Sequence, residues 1–417
     1  MTKLNDYEEG LLRGAEGPAK QRAMQQLLAV AEFFDAADFV EVSQVHLMAD
    51  GEAVGEAGVE YLEQLAALPP EQRRLKVPTV TDPRGADFKA YRRIRHDERF
   101  VEQERRAAQA MRALGILMTD TCINYQTIMP PTLGEHLAFG DTGSSIYANS
   151  VLGARTNFEG GPSAIAAALT GRVPRYGFHL DSVRRATTRF VVEEAPADLA
   201  EWGALGGLVG RRMRSYFEVP VIEGIEATPG SDALKHFGAA LASYGSTALF
   251  HMVGVTPEAP SLSSVFDGSP PEPAERFTRR DLMEFMGQYG AGEDSLHVVV
   301  FAAPQLSLIE LDALAGLLRG QRVHPDVTLI ATTSPEIKSA ADRMGLTAVV
   351  EGSGAILLEG VCFYQMHARE IGEANGWRRL MTNSAKLTNI IGGYGYEPVL
   401  ASMQACVRSA VAGRVVR

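Results

Sequence analysis

Apolar residues recur at helical spacing over residues 17–35 (GPAKQRAMQQLLAVAEFFD). Met24, Leu27, Leu28, Ala31 and Phe34 fall on one stripe there and predict an amphipathic helix. The run DFVEVSQVHL then reads as a strand, GVEYLEQLAAL as an acidic helix, and LKVPTVTDPRG as a strand broken by prolines and Gly85. Residues 97–117 read as a charged helix that leads into GILMTDTCINYQ. From Pro130 to Gly177 the periodicity fades into Gly, Ser, Asn and Thr, the texture of long polar loops that serve a site. GGLVGRRM and DALKHFGAALASYGS resume regular packing. The segment 256–276 (TPEAPSLSSVFDGSPPEPAER) holds five prolines and predicts an exposed connection or lid. DSLHVVVFAAP and VTLIATTSP are continuous apolar runs bounded by turn signals, with the helix SLIELDALAGLLRG between them; residues 296–332 thus predict a parallel unit. AVVEGSGAILLEGVCF predicts two more strands, and VLASMQACVRSAVAG a last helix. Helix and strand alternate throughout, so the fold class is α/β, in layers with parallel sheets.

The chain has 417 residues, two or three domains' worth. Its 46% apolar and 22% charged residues are those of a globular protein, and a net charge of −11 speaks against a phosphate-tracking nucleic-acid binder. No run approaches 18 uninterrupted apolar residues, and the polar N-terminus carries no secretory pattern; a protein of the cytoplasm that spans no membrane is expected. Cys122, Cys362 and Cys406 are too few and scattered for a disulfide framework.

Chemistry has three candidate carriers. Cys122 and Cys362 each follow an apolar strand-like run, where loops of α/β folds build sites. Spacing alone favours buried thiols for both, and Cys406 lies on an amphipathic helix as a core residue. The segment 140–164 offers Asn149, Ser150, Thr156 and Asn157 as neutral donors and acceptors, with Arg155 able to fork onto a carboxylate; a turn-rich structural loop is the plain alternative. In MTNSAK (381–386) the Lys386 ammonium can lower the pKa of the Ser384 hydroxyl. His46, His136, His179, His251 and His367 are scattered, and each reads first as a hydrogen-bonded structural histidine. Neither a Rossmann fingerprint nor a P-loop is present.

At TCINYQ and GEHLAFGDTGSSIYANSVLGARTNFEGGPSAIAAALTGRVPRYGFHL the chain resembles the aconitase X family. The resemblance extends through EEGLLRGAEGPAKQRAM, SQVHL, GEAGVEYLEQL, VPTVTDPRG, ALFHMVGVTPEAP, GVCFYQ and MTNSAK, in order from about residue 8 to 412. It implies aconitase-superfamily-like layered domains over 1–417, in two or three subdomains, and a hydro-lyase with an iron–sulfur cluster. Activities in the family include dehydration of cis-3-hydroxy-L-proline and of mevalonate 5-phosphate. GDTG and NFEGG resemble the bacterial hydroxyproline branch, whereas the archaeal branch usually reads ESSA and NREGG. Members also have a smaller swivelling domain, fused or separate. This chain has no residues left over for one, so a small-subunit partner is implied. By analogy with the serine base of aconitases, Ser384 and Lys386 become the catalytic candidates. His46, Asn149, Ser150, Arg155, Thr156, Asn157 and His179 become candidates for substrate contact, and Cys122 and Cys362 for metal ligation.

The chain departs from the family at one place. Many members carry Cys-Pro-His where VVVFAAPQLSL stands here, so Ala303 and Gln305 occupy the first and third positions. Two matching cysteines remain and no third, whereas clusters are normally held by three or four thiolates. A two-iron or incomplete cluster with substituted ligands, a mononuclear metal, or no metal are the implied alternatives. The functional expectation is dehydration of cis-3-hydroxy-L-proline through an enamine to pyrroline-2-carboxylate. A cluster-free isomerase or decarboxylase, a mevalonate 5-phosphate dehydratase and a non-catalytic subunit are the competitors.

Overall fold

The structure is a computed structural model, and it describes residues 2–266, 268–290, 292 and 294–416. The first unit holds five short strands: β1 (Phe39–Glu41), β2 (Val45–Leu47), β3 (Thr79–Thr81), β4 (Ala138–Phe139) and β5 (Arg172–Pro174). β3, β2 and β4 form a parallel sheet in that order, while β1 pairs antiparallel with β5. The predicted strand DFVEVSQVHL is therefore two strands in two sheets, split at Val42–Gln44. Helices Pro18–Phe33, Gly51–Ala66, Glu98–Ala113 and Gly160–Thr170 cover this unit, burying Leu27, Val59, Ala107 and Ile165 with Val45 and Leu47.

The second unit is a parallel four-stranded sheet ordered β8–β7–β6–β9, from β6 (Thr188–Val192), β7 (Pro220–Glu223), β8 (His251–Met252) and β9 (Glu275–Phe277). The proline-rich segment 256–276 is the crossover from β8 to β9. It is anchored as well as exposed, because Ala259 and Val265 bury against Ala186 and Val221. Asp267, in its middle, lies outside the described residues.

The third unit is a parallel sheet ordered β12–β11–β10–β13–β14. Its strands are β10 (Val298–Leu306), β11 (Thr328–Thr333), β12 (Ile356–Glu359), β13 (Arg379–Thr382) and β14 (Glu397–Leu400). β10 is buried along its whole length, with Val299 and Phe301 in one core and Val298 and Val300 in another. Burial on both faces is why its sequence is a continuous apolar run rather than an alternating one. The predicted 296–332 unit is present, with Val298 opposite Thr328. Two expectations shift. AVVEGSGAILLEGVCF supplies the single strand β12, since 346–352 is helical, and Val399–Leu400 close a strand before the last helix, Met403–Ala412.

Glycines set how closely the layers approach. A Cβ on Gly206, in the helix Leu199–Gly210, would lie 2.2 Å from the carbonyl oxygen of Phe237 on the neighbouring helix Ser231–Gly245. The largest change from expectation is at 142–150. There the expected polar loop is a helix, Thr142–Ser150, capped by Asp141, whose side chain accepts the Ser144 N–H at 2.8 Å. Gly, Ser and Ala leave no apolar stripe to read in the sequence, because this helix is buried on nearly all sides. Among the described residues no helix is long and apolar enough to cross a membrane.

The first and third sheets meet beyond their carboxyl ends. Beyond β3 the chain meets the extension of β12 in a parallel bridge, Arg84 with Val361, and the Arg84 N–H donates to Gly360 at 2.8 Å. Strand carboxyl ends are where α/β proteins place ligands.

Candidate active site

Two sulfurs straddle one turn at the end of β10. The Gln305 N–H donates to Cys122 Sγ at 3.5 Å, and the Ala303 backbone donates to Cys362 Sγ. The Gln305 side chain ties the three loops together. Its Oε1 accepts from Thr121 Oγ1 at 2.7 Å, and its Nε2 donates to the carbonyls of Asp120 (3.2 Å) and Val361 (3.1 Å). Residues next to each cysteine are thus pinned to one amide, and Cys122 and Cys362 converge across 240 positions of sequence. Burial raises both thiols, Cys362 to about 12; each is held neutral.

Around the sulfurs lie buried charges. Lys386 Nζ sits 3.5 Å from Asp141 Oδ1. Burial alone would discharge both, but the pair holds Asp141 below the ordinary carboxylate range and Lys386 above its own. Gly143 makes room for the pair, since a Cβ there would stand 3.0 Å from Asp141 Oδ2 and 3.6 Å from Lys386 Nζ. Asp82, directly after β3, accepts Gln365 Nε2 on Oδ2 at 2.9 Å, and the same amide nitrogen reaches Asp50 Oδ2 at 3.4 Å. Burial, and then the Asp141 charge, hold Asp82 well above the carboxylate range. Burial and Glu104 push Asp50 up to about 8. His46, on β2, donates Nε2–H to the Thr121 carbonyl at 2.8 Å and is kept neutral by burial.

Ser384 caps the helix Ala385–Ile391: its Oγ accepts the Leu387 N–H at 3.1 Å and donates to the Ala303 carbonyl. Ala303 turns that carbonyl inward through a positive φ of 57°, a conformation an alanine rarely takes and one that sites tend to hold. Lys386 therefore pairs with Asp141 rather than activating Ser384.

Of the residues singled out in the sequence, Cys122, Cys362, Ser384, Lys386 and His46 come together. The others do not join them. Asn149 bonds the carbonyls of Thr156 and Ala248, Ser150 Oγ takes the Phe250 N–H, and Thr156 Oγ1 takes the Phe139 N–H. Asn157 holds the Tyr176 carbonyl, Arg155 pairs with the exposed Asp181, and His179 stands against His136 with Nδ1 atoms 2.9 Å apart. Asn149, Ser150, Thr156 and Asn157 thus serve backbone groups, and Arg155 and His179 meet other side chains. Asp82, Asp141, Asp50 and Gln365 were missed. A carboxylate ending the strand TVTD and a cap in GDTGSS were the available signals. Asn124, two residues past Cys122, was missed as well; it is fully buried with neither amide atom partnered.

A cluster of the kind the resemblance implies needs a third thiolate. Ala303 offers a methyl group where the resemblance implies a thiol, and among the described residues no three His, Cys, Asp or Glu side chains are placed to hold a metal ion. Two cysteines, with Ala303 between their loops, do not fit such a cluster.

Known proteins agree with this architecture. Models of the aconitase X first, second and third domains match residues 1–182, 186–287 and 296–412. A phosphomevalonate dehydratase large subunit from Methanothermobacter thermautotrophicus is 34% identical over 393 residues, 94% of each chain. The chain belongs to the aconitase X family. A second aconitase X relative, the cis-3-hydroxy-L-proline dehydratase of Pseudomonas aeruginosa, is 33% identical over 99% of this chain and 70% of its own length. The aconitase X of Thermococcus kodakaraensis, solved in its holo-form, superposes with a TM-score of 0.85 at 29% identity, covering 98% of this chain and all of that one.

Proposed function

We propose that the chain is the large subunit of a hydro-lyase that removes water from a small hydroxy amino acid of the cis-3-hydroxy-L-proline type. Dehydratase activity is supported by the named relatives on both branches. The charge pattern of the site carries the substrate class. Near Cys362 stand one ammonium, Lys386, one carboxylate, Asp141, and the neutral carboxyl of Asp82. A zwitterion suits that lining: Lys386 meets the substrate carboxylate and Asp141 its ring ammonium. A phosphate dianion asks for several cations or a cradle of backbone N–H groups.

One observation favours a second reading, mevalonate 5-phosphate: the chain matches phosphomevalonate dehydratase large subunits over nearly their full length, as in 94% of the Methanothermobacter protein. Those same names support a separate small subunit as partner. No step is routed through iron, because the donor set lacks a third thiolate. Loss of water from 3-hydroxyproline leaves an enamine that tautomerises to pyrroline-2-carboxylate. The test is to express the chain with its small subunit, supply each substrate in turn, and detect the dehydrated product. Turnover of the hydroxyproline alone supports the assignment. Turnover of the phosphate ester alone moves it to the second reading.

A further inference from the structure

Elimination of water moves two protons: one leaves the α-carbon and one joins the departing hydroxyl. Ser384 is poorly placed for the first, since its hydrogen is held by the Ala303 carbonyl and its oxygen by Leu387 N–H. Lys386 is held charged beside Asp141, so it has no lone pair to take a proton. The atoms without partners lie elsewhere. His46 gives Nε2–H to the Thr121 carbonyl, which leaves the lone pair on Nδ1, and that nitrogen is buried with no hydrogen bond. Asp82 is anchored through Oδ2 by Gln365, while Oδ1 is buried, unbonded, and 3.6 Å from His46 Nε2. Each unpartnered buried polar atom costs about 1–3 kcal/mol, and a bound polar molecule that accepts from Asp82 and donates to His46 would complete both.

Resting on the hydro-lyase reading above, we propose that His46 and Asp82 are the base and the acid of the elimination. His46 Nδ1 takes the α-proton. The C–H electron pair becomes the Cα–Cβ double bond, and the Cβ–O pair departs with the hydroxyl. The Asp82 carboxyl gives that hydroxyl its proton, so that water leaves. Imidazolium and carboxylate remain; when the product departs, solvent returns a proton to Asp82 and takes one from His46. Asp82 faces His46 from β2, Asp141 from the helix cap, Asp50 from the start of helix Gly51–Ala66, Lys386 from helix Ala385–Ile391 and the Gln365 amide. In that setting burial, then Asp141, keeps its carboxyl protonated above the usual range, as an acid must be. Gln365 and Thr121 are positioning groups.

The test compares cis-3-hydroxy-L-proline with its cis-3-fluoro analogue on the chain in complex with its small subunit, because fluoride leaves without being protonated. Asp82→Asn keeps the shape, and the Gln365 amide can turn to meet it. It should cut kcat on the hydroxy substrate by roughly 100-fold, leave KM within about threefold, and still eliminate fluoride within about tenfold of the native rate. His46→Gln should lose both reactions and the exchange of the α-proton in D2O. Equal loss on both substrates for Asp82→Asn would make it a structural residue and end its role as acid. Continued α-proton exchange by His46→Gln would pass the base to Ser384. A native complex that dehydrates no hydroxy acid would sink the hydro-lyase reading, and this pair with it.

Discussion

Lys386 and Asp141 show what a buried charge pair commits a site to. Removing either partner leaves the other charged and dry, which costs about 3–5 kcal/mol. Lys386→Ala alone should therefore lower the melting temperature and raise KM. Pairing it with Asp141→Asn should recover most of the stability without recovering binding; a double variant as unstable as the sum of the singles would mean the two are not coupled. Glu159 is the contrasting case. It is buried, its Oε1 has no partner, and burial alone pushes it up to about 7 from 4.5. A carboxyl raised in the folded state holds its proton there while the unfolded chain has lost it. Its contribution is complete below pH 4.5, fades as pH rises to about 7, and is gone above. Glu159→Gln should remove a penalty on the order of 3 kcal/mol at pH 8 and change little at pH 4.5, as read by thermal melts.

At the scale of elements, the site depends on close approaches that only small residues permit. Gly143→Ala places a methyl against Asp141 and Lys386, and should lower kcat/KM roughly 10- to 100-fold with the fold intact. Gly206→Ala drives a methyl into the Phe237 carbonyl and should cost about 2 kcal/mol, as read by thermal melts. The parallel strands β10 and β11 were legible because their burial on both faces writes itself as unbroken Val, Ile and Leu. The convergence of Cys122 and Cys362 was legible because both end apolar runs and both lie in family strings. The helix Thr142–Ser150 was not, since a helix buried on all sides by Gly, Ser and Ala has no polar face to mark its period. Nor were the roles of Asn149, Ser150, Thr156 and Asn157, because side chains that satisfy backbone groups and side chains that meet ligands have the same composition. Asp82 with His46 is set by the pairing of β2 with β3, and Asp141 with Lys386 by the meeting of two helix starts, neither of which one sequence prints.

For the whole molecule, the central fact is that chain leaving the carboxyl ends of two parallel sheets meets beside a cluster of buried polar groups, where Ala303 stands at the position for which the resemblance implies a cysteine. Ala303→Cys adds a third sulfur beside Cys122 and Cys362. If the missing thiolate is what keeps a cluster out, the variant purified anaerobically with iron and sulfide should gain visible absorption that the native chain lacks. A native chain that already carries iron–sulfur absorption would contradict the fit drawn from its donors. The account as a whole turns on the reaction itself. The direct measurement is nuclear magnetic resonance of cis-3-hydroxy-L-proline incubated with the chain and its small subunit. The account predicts that its signals give way to those of pyrroline-2-carboxylate, while mevalonate 5-phosphate stays unchanged. Hydroxyproline left intact beside dehydrated mevalonate 5-phosphate would contradict the substrate drawn from Lys386, Asp141 and Asp82, and both left intact would contradict a hydro-lyase.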